Sequence, residues 1–188
     1  SDAYEKTLAG HASISLATSS LPTTAKTDFA AFLSLNALSP VVISTTDTAA
    51  IAALKAANPE LASDWTADKN ARLFGDTARD HDFSDNWYAD RAAMLATLVE
   101  ANKRDENFYN VAGSSESWFY QDEASGTSVL RQPGGLAQTP LHQIVFGADG
   151  IDVLEGQGVA DRLYGGAGED FLDGKGGNDY LEGNVNDD

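Results

Sequence analysis

The sequence predicts an α+β chain: a small helical domain, a β-hairpin, and a right-handed parallel β-roll that continues from the hairpin. Three observations lead there. Apolar residues recur at helical spacing behind Ser/Thr/Asp caps between residues 27 and 105. Two runs rich in aromatic and β-branched residues flank a glycine-containing loop between 117 and 131. From Gly147 to Asp188 the chain repeats itself every nine residues, and repetition at a fixed period signals a solenoid.

Taken in order, residues 1–26 are rich in Ser, Thr and Ala with weak periodicity, and only Ser13–Leu16 reads as a short strand. Thr27-Asp28 caps the run Phe29, Phe32, Leu33, Leu35 and Leu38, which Ser39-Pro40 ends. Val41-Val42-Ile43 reads as a buried extended link. Thr46-Asp47 caps a helix over 48–57 that places Ile51, Leu54 and Ala57 on one face. Asn58-Pro59 breaks it and starts another, with Leu61, Ala62 and Trp65 inward. Ser84-Asp85 caps the longest helix, 85–103, whose stripe of Trp87, Arg91, Met94, Leu95, Leu98 and Ala101 is a core face. Residues 106–146 form the connector. Ser117–Gln121 and Ser128–Arg131 pair as a hairpin around Asp122–Thr127, and Gln132–Gly135 turns. His142–Phe146 then leads into the first repeat.

The copies read GADGIDVLE (147–155), GQGVADRLY (156–164), GGAGEDFLD (165–173), GKGGNDYLE (174–182) and a shorter GNVNDD (183–188). The sixth position is always aspartate: Asp152, Asp161, Asp170, Asp179 and Asp188. The eighth, in complete copies, is Leu154, Leu163, Leu172 and Leu181. Glycine permits φ > 0 and close approach of backbone carbonyls, and the aspartate offers the hard anionic oxygen that suits Ca²⁺. Leucine, two positions on, points inward from a short strand. One nonapeptide is a turn plus a strand, so two make a coil, and an ion fits between turns two copies apart. Asp152 is thus expected to work with the turn at 165–170, Asp161 with 174–179, and Asp170 with 183–188. That gives up to three ions. The expected backbone ligands are the carbonyls of Gly147, Asp149, Gly165, Ala167, Gly174 and Gly176. The third copy fits best. Val159 stands where the second copy's turn would take glycine, which predicts strain or a weak site. The last copy stops at Asp188, so its site is expected to lack a following strand.

Charge supports the same reading. The chain of 188 residues carries a formal net charge of −17. Eleven acids and two bases lie in 147–188, a net of nine negative charges in the repeats alone. Repulsion and glycine entropy oppose folding there. A divalent ion offsets both, so binding and folding become one event. Strong acidity argues against nucleic acid and against electrostatic docking on anionic membranes. Cysteine is absent, so no disulfide or thiolate metal site exists. No apolar run reaches the ~20 residues that span a bilayer, and no signal peptide is visible at Ser1–Lys6. The missing initiator methionine and the interrupted last copy are expected of a piece of a longer chain.

On these repeats the segment resembles the repeats-in-toxin (RTX, hemolysin-type) family, whose pattern is GGxGxDxUx with U a large apolar residue. The resemblance covers 147–188. It implies a secreted bacterial toxin or exoprotein, exported unfolded by a type I secretion machinery and folding on Ca²⁺ outside the cell, with any host membrane or cell-surface target reached through the parent chain. Residues 28–105 are also similar to a segment found before the repeats of large bacterial RTX proteins, some of which carry a lipase-like hydrolase domain upstream.

No catalytic motif supports an enzyme within the chain itself. Gly113-Ser114-Ser115-Glu116-Ser117 lacks the final glycine of a nucleophile elbow and has no strand before it. His11, His81 and His142 are far apart and form no zinc pattern. Asp80, Asp82 and Asp85 gather before the longest helix, where Asp85 serves as helix N-terminal charge. Two rival readings stand beside the calcium module. One is the C-terminal part of a hydrolase whose nucleophile precedes Ser1. The other is an adhesin or surface-layer module, which an exposed patch of Trp118, Phe119 and Tyr120 would favour.

Overall fold

A computed structural model describes residues 12–66, 83–112, 114–134 and 140–185. The chain divides into two compact units, Ser1–Leu95 and Ala96–Asp188. His11, Asp80, His81, Asp82, Gly113, Gly135 and Asp188 lie outside the described residues.

The first unit mixes helices with a two-stranded sheet. Strand β1 (Ala12–Leu16) pairs antiparallel with β2 (Val41–Thr45), Leu16 opposite Val41. The extended segment at 41–43 is therefore a sheet strand, and its alternation buries Val42 while exposing Val41. A short helix α1 (Leu21–Ala25), which the weak periodicity of 1–26 did not announce, buries Leu21 and Ala25. Helix α2 (Phe29–Asn36) starts at Asp28, whose Oδ1 accepts the N–H groups of Ala30 and Ala31 at 2.9 and 3.2 Å. The other oxygen of Asp28 accepts from the Ser44 hydroxyl and, at 3.2 Å, from the Thr45 N–H, so one carboxylate ties α2 to β2. The helix closes two residues before Leu38, which takes a left-handed conformation (φ 49°) while Ser39 N–H reaches back to Ser34 O.

Helix α3 (Thr48–Ala57) is capped by Asp47 through Ala49 N–H at 2.8 Å. Helix α4 (Pro59–Thr66) begins on proline, which lacks only an N–H that no helix start needs. Helix α5 (Asp85–Asn102) is capped by Ser84, whose Oγ accepts Trp87 N–H at 3.1 Å. Trp87, Arg91, Met94, Leu95 and Ala101 of its apolar stripe are buried. The core of this unit is aromatic. Phe32 lies 5.1 Å from Phe83 and Phe83 4.6 Å from Trp87, with Phe29 5.3 Å from Trp65. Such rings dominate core energetics, each pair contributing roughly 0.5–1.5 kcal/mol beyond its burial.

The second unit is built on β3 (Phe108–Val111), β4 (Trp118–Asp122), β5 (Thr127–Pro133), β6 (His142–Phe146), β8 (Arg162–Ala167) and β10 (Tyr180–Val185). They form one mixed sheet in the order β10-β8-β6-β4-β5-β3. The expected hairpin is present as the antiparallel pair β4–β5, Trp118 opposite Arg131 and Asp122 opposite Thr127. Strand β3 adds to β5 in parallel, an element absent from the sequence reading. On the other side β4 pairs in parallel with β6, β6 with β8, and β8 with β10. Between these strands the chain crosses to a second, two-stranded parallel sheet of β7 (Val153–Glu155) and β9 (Phe171–Asp173). Parallel strands returning every second nonapeptide make this segment a β-solenoid consistent with a β-roll.

Its interior is thin. Val145, Leu154 and Leu163 form a buried cluster against which Leu172 packs half-buried. Full burial of such a side chain contributes about 1.5–3 kcal/mol. The row ends at Leu181, which is 47% exposed. Tyr120 is buried while Trp118 and Phe119 are half-buried, so these three do not make a common exposed patch. No described helix is long and apolar enough to cross a membrane.

Candidate metal centre

The turns between strands stack in register at an interval of eighteen residues. Gly147 N–H donates to Tyr164 O at 2.7 Å, Gly150 N–H to Ala167 O at 2.5 Å and Ala167 N–H to Ala148 O at 3.0 Å. On the opposite side Gly156 N–H donates to Asp173 O at 2.8 Å and Gly176 N–H to Gln157 O at 3.0 Å. Turn 147–152 thus lies on turn 165–170, and turn 156–161 on turn 174–179.

The described sixth-position aspartates bond within turns and across them, and Asp161 does both. Within its own turn, Asp152 Oδ2 accepts Ala148 N–H at 2.7 Å and Asp161 Oδ2 accepts Gln157 N–H at 2.5 Å. Across turns, Asp170 Oδ1 accepts Asp152 N–H at 2.9 Å and Asp179 Oδ1 accepts Asp161 N–H at 3.0 Å. Asp161 Oδ1 accepts Gln143 N–H at 2.7 Å in the same manner. Asp161 is 1% exposed, and Asp152, Asp170 and Asp179 are half-buried.

The first-position glycines stand where backbone and carboxylate converge. A Cβ on Gly156 would meet Asp161 Oδ2 at 2.5 Å and Gly174 O at 2.7 Å. On Gly147 it would overlap Gly165 O and meet Asp152 Oδ2 at 2.9 Å; on Gly165 it would overlap Asp170 Oδ2 and meet Gly183 O at 2.8 Å. Three times over, a carboxylate oxygen and the glycine carbonyl eighteen residues on face one small space that any side chain would fill. Gly174 repeats the carboxylate half of the pattern with Asp179. Among the described residues no group of three His, Asp or Glu side chains converges. The donor set is therefore one carboxylate per turn plus backbone carbonyls, all hard oxygens. That set fits Ca²⁺, which takes several oxygens in flexible geometry, and does not fit softer metals.

The predicted ligands distribute as follows. Asp152, Asp161, Asp170 and the carbonyls of Gly165 and Gly174 meet in the three spaces, one of which Gly147 borders through its Cα rather than its carbonyl. Asp149 forms a parallel bridge with Ala167, whose carbonyl already accepts Gly150 N–H. Gly176 stacks on the neighbouring turn through Gln157. The carbonyl of Gly183, omitted from the sequence-derived ligands, faces the third space, and Gly156 borders the second through its Cα; their first-position rank in the repeat was the available signal. The turn at 156–161 accommodates Val159 with no residue at positive φ, whereas Gly166 and Gly168 of the third copy stand at 101° and 136°.

Within turn 174–179, Lys175 also takes a left-handed conformation (φ 64°). Its ammonium bonds Asp173 at 2.7 Å and Glu155 at 3.1 Å. The hydrogen bond to Lys175 lowers the Asp173 carboxyl below its usual range, and the Asp173 and Glu155 carboxylates raise the Lys175 ammonium above its own.

No curated protein and no solved structure matches the chain. Residues 146–188 match the family of RTX calcium-binding nonapeptide repeats in four copies, so the chain carries an RTX-type calcium-binding module.

Proposed function

We propose that residues 147–188 are the calcium-folded roll of a secreted bacterial exoprotein or toxin, disordered inside the cell and ordered by Ca²⁺ outside it. One observation carries this reading: three glycine-lined spaces each pair an aspartate oxygen with a glycine carbonyl from the turn eighteen residues on. In this proposal Asp152, Asp161 and Asp170 supply the carboxylates, Gly165, Gly174 and Gly183 the facing carbonyls, and the remaining predicted ligands the outer contacts. Bound Ca²⁺ supplies positive charge against the nine net negative charges of the repeats. The protein's own contribution is to hold carboxylates and carbonyls apart at a fixed spacing through the amide bonds to the aspartates. The roll winds right-handed, as crossovers between parallel strands of one sheet do in about 98% of cases.

Extracellular calcium modules work at about 10⁻⁴–10⁻³ M, so sites of this class stay empty in the cytosol and fill after export. That suits passage through a type I secretion machinery in an unfolded state. Calorimetry on chelator-stripped protein tests the reading. Heat and a gain of β-structure on adding millimolar CaCl₂ are expected. Absence of both, or equal order in EDTA, overturns it.

A further inference from the structure

The nonapeptide before the first clear copy, residues 138–146, contains no glycine and no aspartate, yet its strand β6 takes a full place in the coil. Gln143 stands nine residues before Asp152, and Val145 nine before Leu154. Val145 fills the leucine row with Leu154 and Leu163. Gln143 N–H gives Asp161 the bond that Asp152 gives Asp170 and Asp161 gives Asp179. We propose that residues 140–146 act as a metal-independent zeroth repeat, templated by the hairpin, and that calcium-dependent order grows from it toward the C-terminal coils. The proposal rests on the calcium reading above.

The physical ground is the set of hairpin and aromatic contacts made to the first coil. Strand β6 is paired on both edges, by β4 and β8. It is also buried on both faces, by Ile144 and Phe146 on one and Val145 on the other. Strand β8 is locked to it: Tyr164 stacks on Phe146 at 5.1 Å and 9°, and Leu163 is fully buried. The hairpin adds its own clamps. Trp118 stacks on His142 at 4.5 Å, the Arg162 guanidinium lies 5.7 Å from the Trp118 ring, and Glu123 N–H bonds Phe146 O at 2.9 Å. His142 Nδ1 donates to Ala160 O at 2.6 Å, fixing the turn that carries Asp161.

Farther along, this support fades. Phe171 faces outward at 60% exposure and Leu172 is half-buried. Acidic residues and glycines continue in every copy. The opposing repulsion and entropy therefore persist in every coil. The first coil stands on hydrophobic and hairpin contacts, and the later coils need the cation.

Hydrogen exchange read by mass spectrometry on the full chain, in EDTA and in millimolar CaCl₂, tests this. Amides of 142–146 and 162–164 are expected to be protected in both, whereas 171–173 and 180–185 gain protection at least about tenfold with calcium only. If 142–146 and 162–164 exchange in EDTA as fast as 180–185 and all gain together with calcium, the zeroth repeat is refuted and the calcium reading survives. If no segment responds to calcium, both fall. Phe146→Ala gives a second arm. It should speed exchange at 162–164 in EDTA by about tenfold while residues 29–36 keep their protection; unchanged exchange at 162–164 overturns the proposal.

Discussion

Asp170 Oδ1 accepts the backbone N–H of Asp152 at 2.9 Å, so a side chain in one turn sets the height of the turn eighteen residues before it. Its other oxygen sits against Gly165, across from Gly183 O. One residue thus braces one gap and lines the next. A hydrogen bond to a charged group contributes about 1.5–3 kcal/mol. Asp170→Ala removes both roles and should raise the CaCl₂ midpoint of ordering at least about tenfold, as 1.4 kcal/mol corresponds to a factor of ten. Asp170→Asn keeps an acceptor for Asp152 N–H and removes the charge. It should retain more β-signal than Asp170→Ala in circular dichroism at saturating calcium.

Two glycines make a controlled comparison. A Cβ at Gly165 overlaps Asp170 Oδ2, while one at Gly158 meets nothing within 4 Å and needs no positive φ. Gly158→Ala should be neutral or stabilise by about 0.4–1 kcal/mol through the unfolded chain. Gly165→Ala should abolish calcium-induced order of the roll. Parallel calcium titrations followed by dichroism decide it.

The leucine row predicts a graded series. Leu163 is 0% exposed and Leu181 47%. Leu163→Ala should cost about 2–5 kcal/mol, the range for buried leucines, and Leu181→Ala less than about 1 kcal/mol because little apolar area leaves the core. Urea unfolding in saturating calcium measures both.

Lys175 sets strain against charge. Its φ of 64° disfavours any side chain, while its ammonium bonds Asp173 and Glu155 on an exposed surface. Exposed ion pairs contribute about 0–1 kcal/mol, and left-handed backbone costs an L-residue about 1–2 kcal/mol. Lys175→Gly should therefore exceed Lys175→Ala in stability by about 1 kcal/mol or more, the two variants having lost the same ion pairs. Equal melting temperatures for the two would contradict the strain.

The repeat alone determined the roll, its metal and the eighteen-residue stacking of turns. Position six carries a carboxylate in every copy and position eight a leucine in every complete one, so chemistry and period are written in the repeat. The helix starts at Asp28, Asp47 and Ser84 were equally legible, because a cap is a local bond between a side chain and the next turn's amides. The pairing of β3 with β5, the short α1 and the role of Gln143 and Val145 were decided by tertiary structure. Those depend on which distant strand offers an edge. Gln143 serves through its backbone N–H, a group every non-proline residue has, and so leaves no mark in the pattern of side chains.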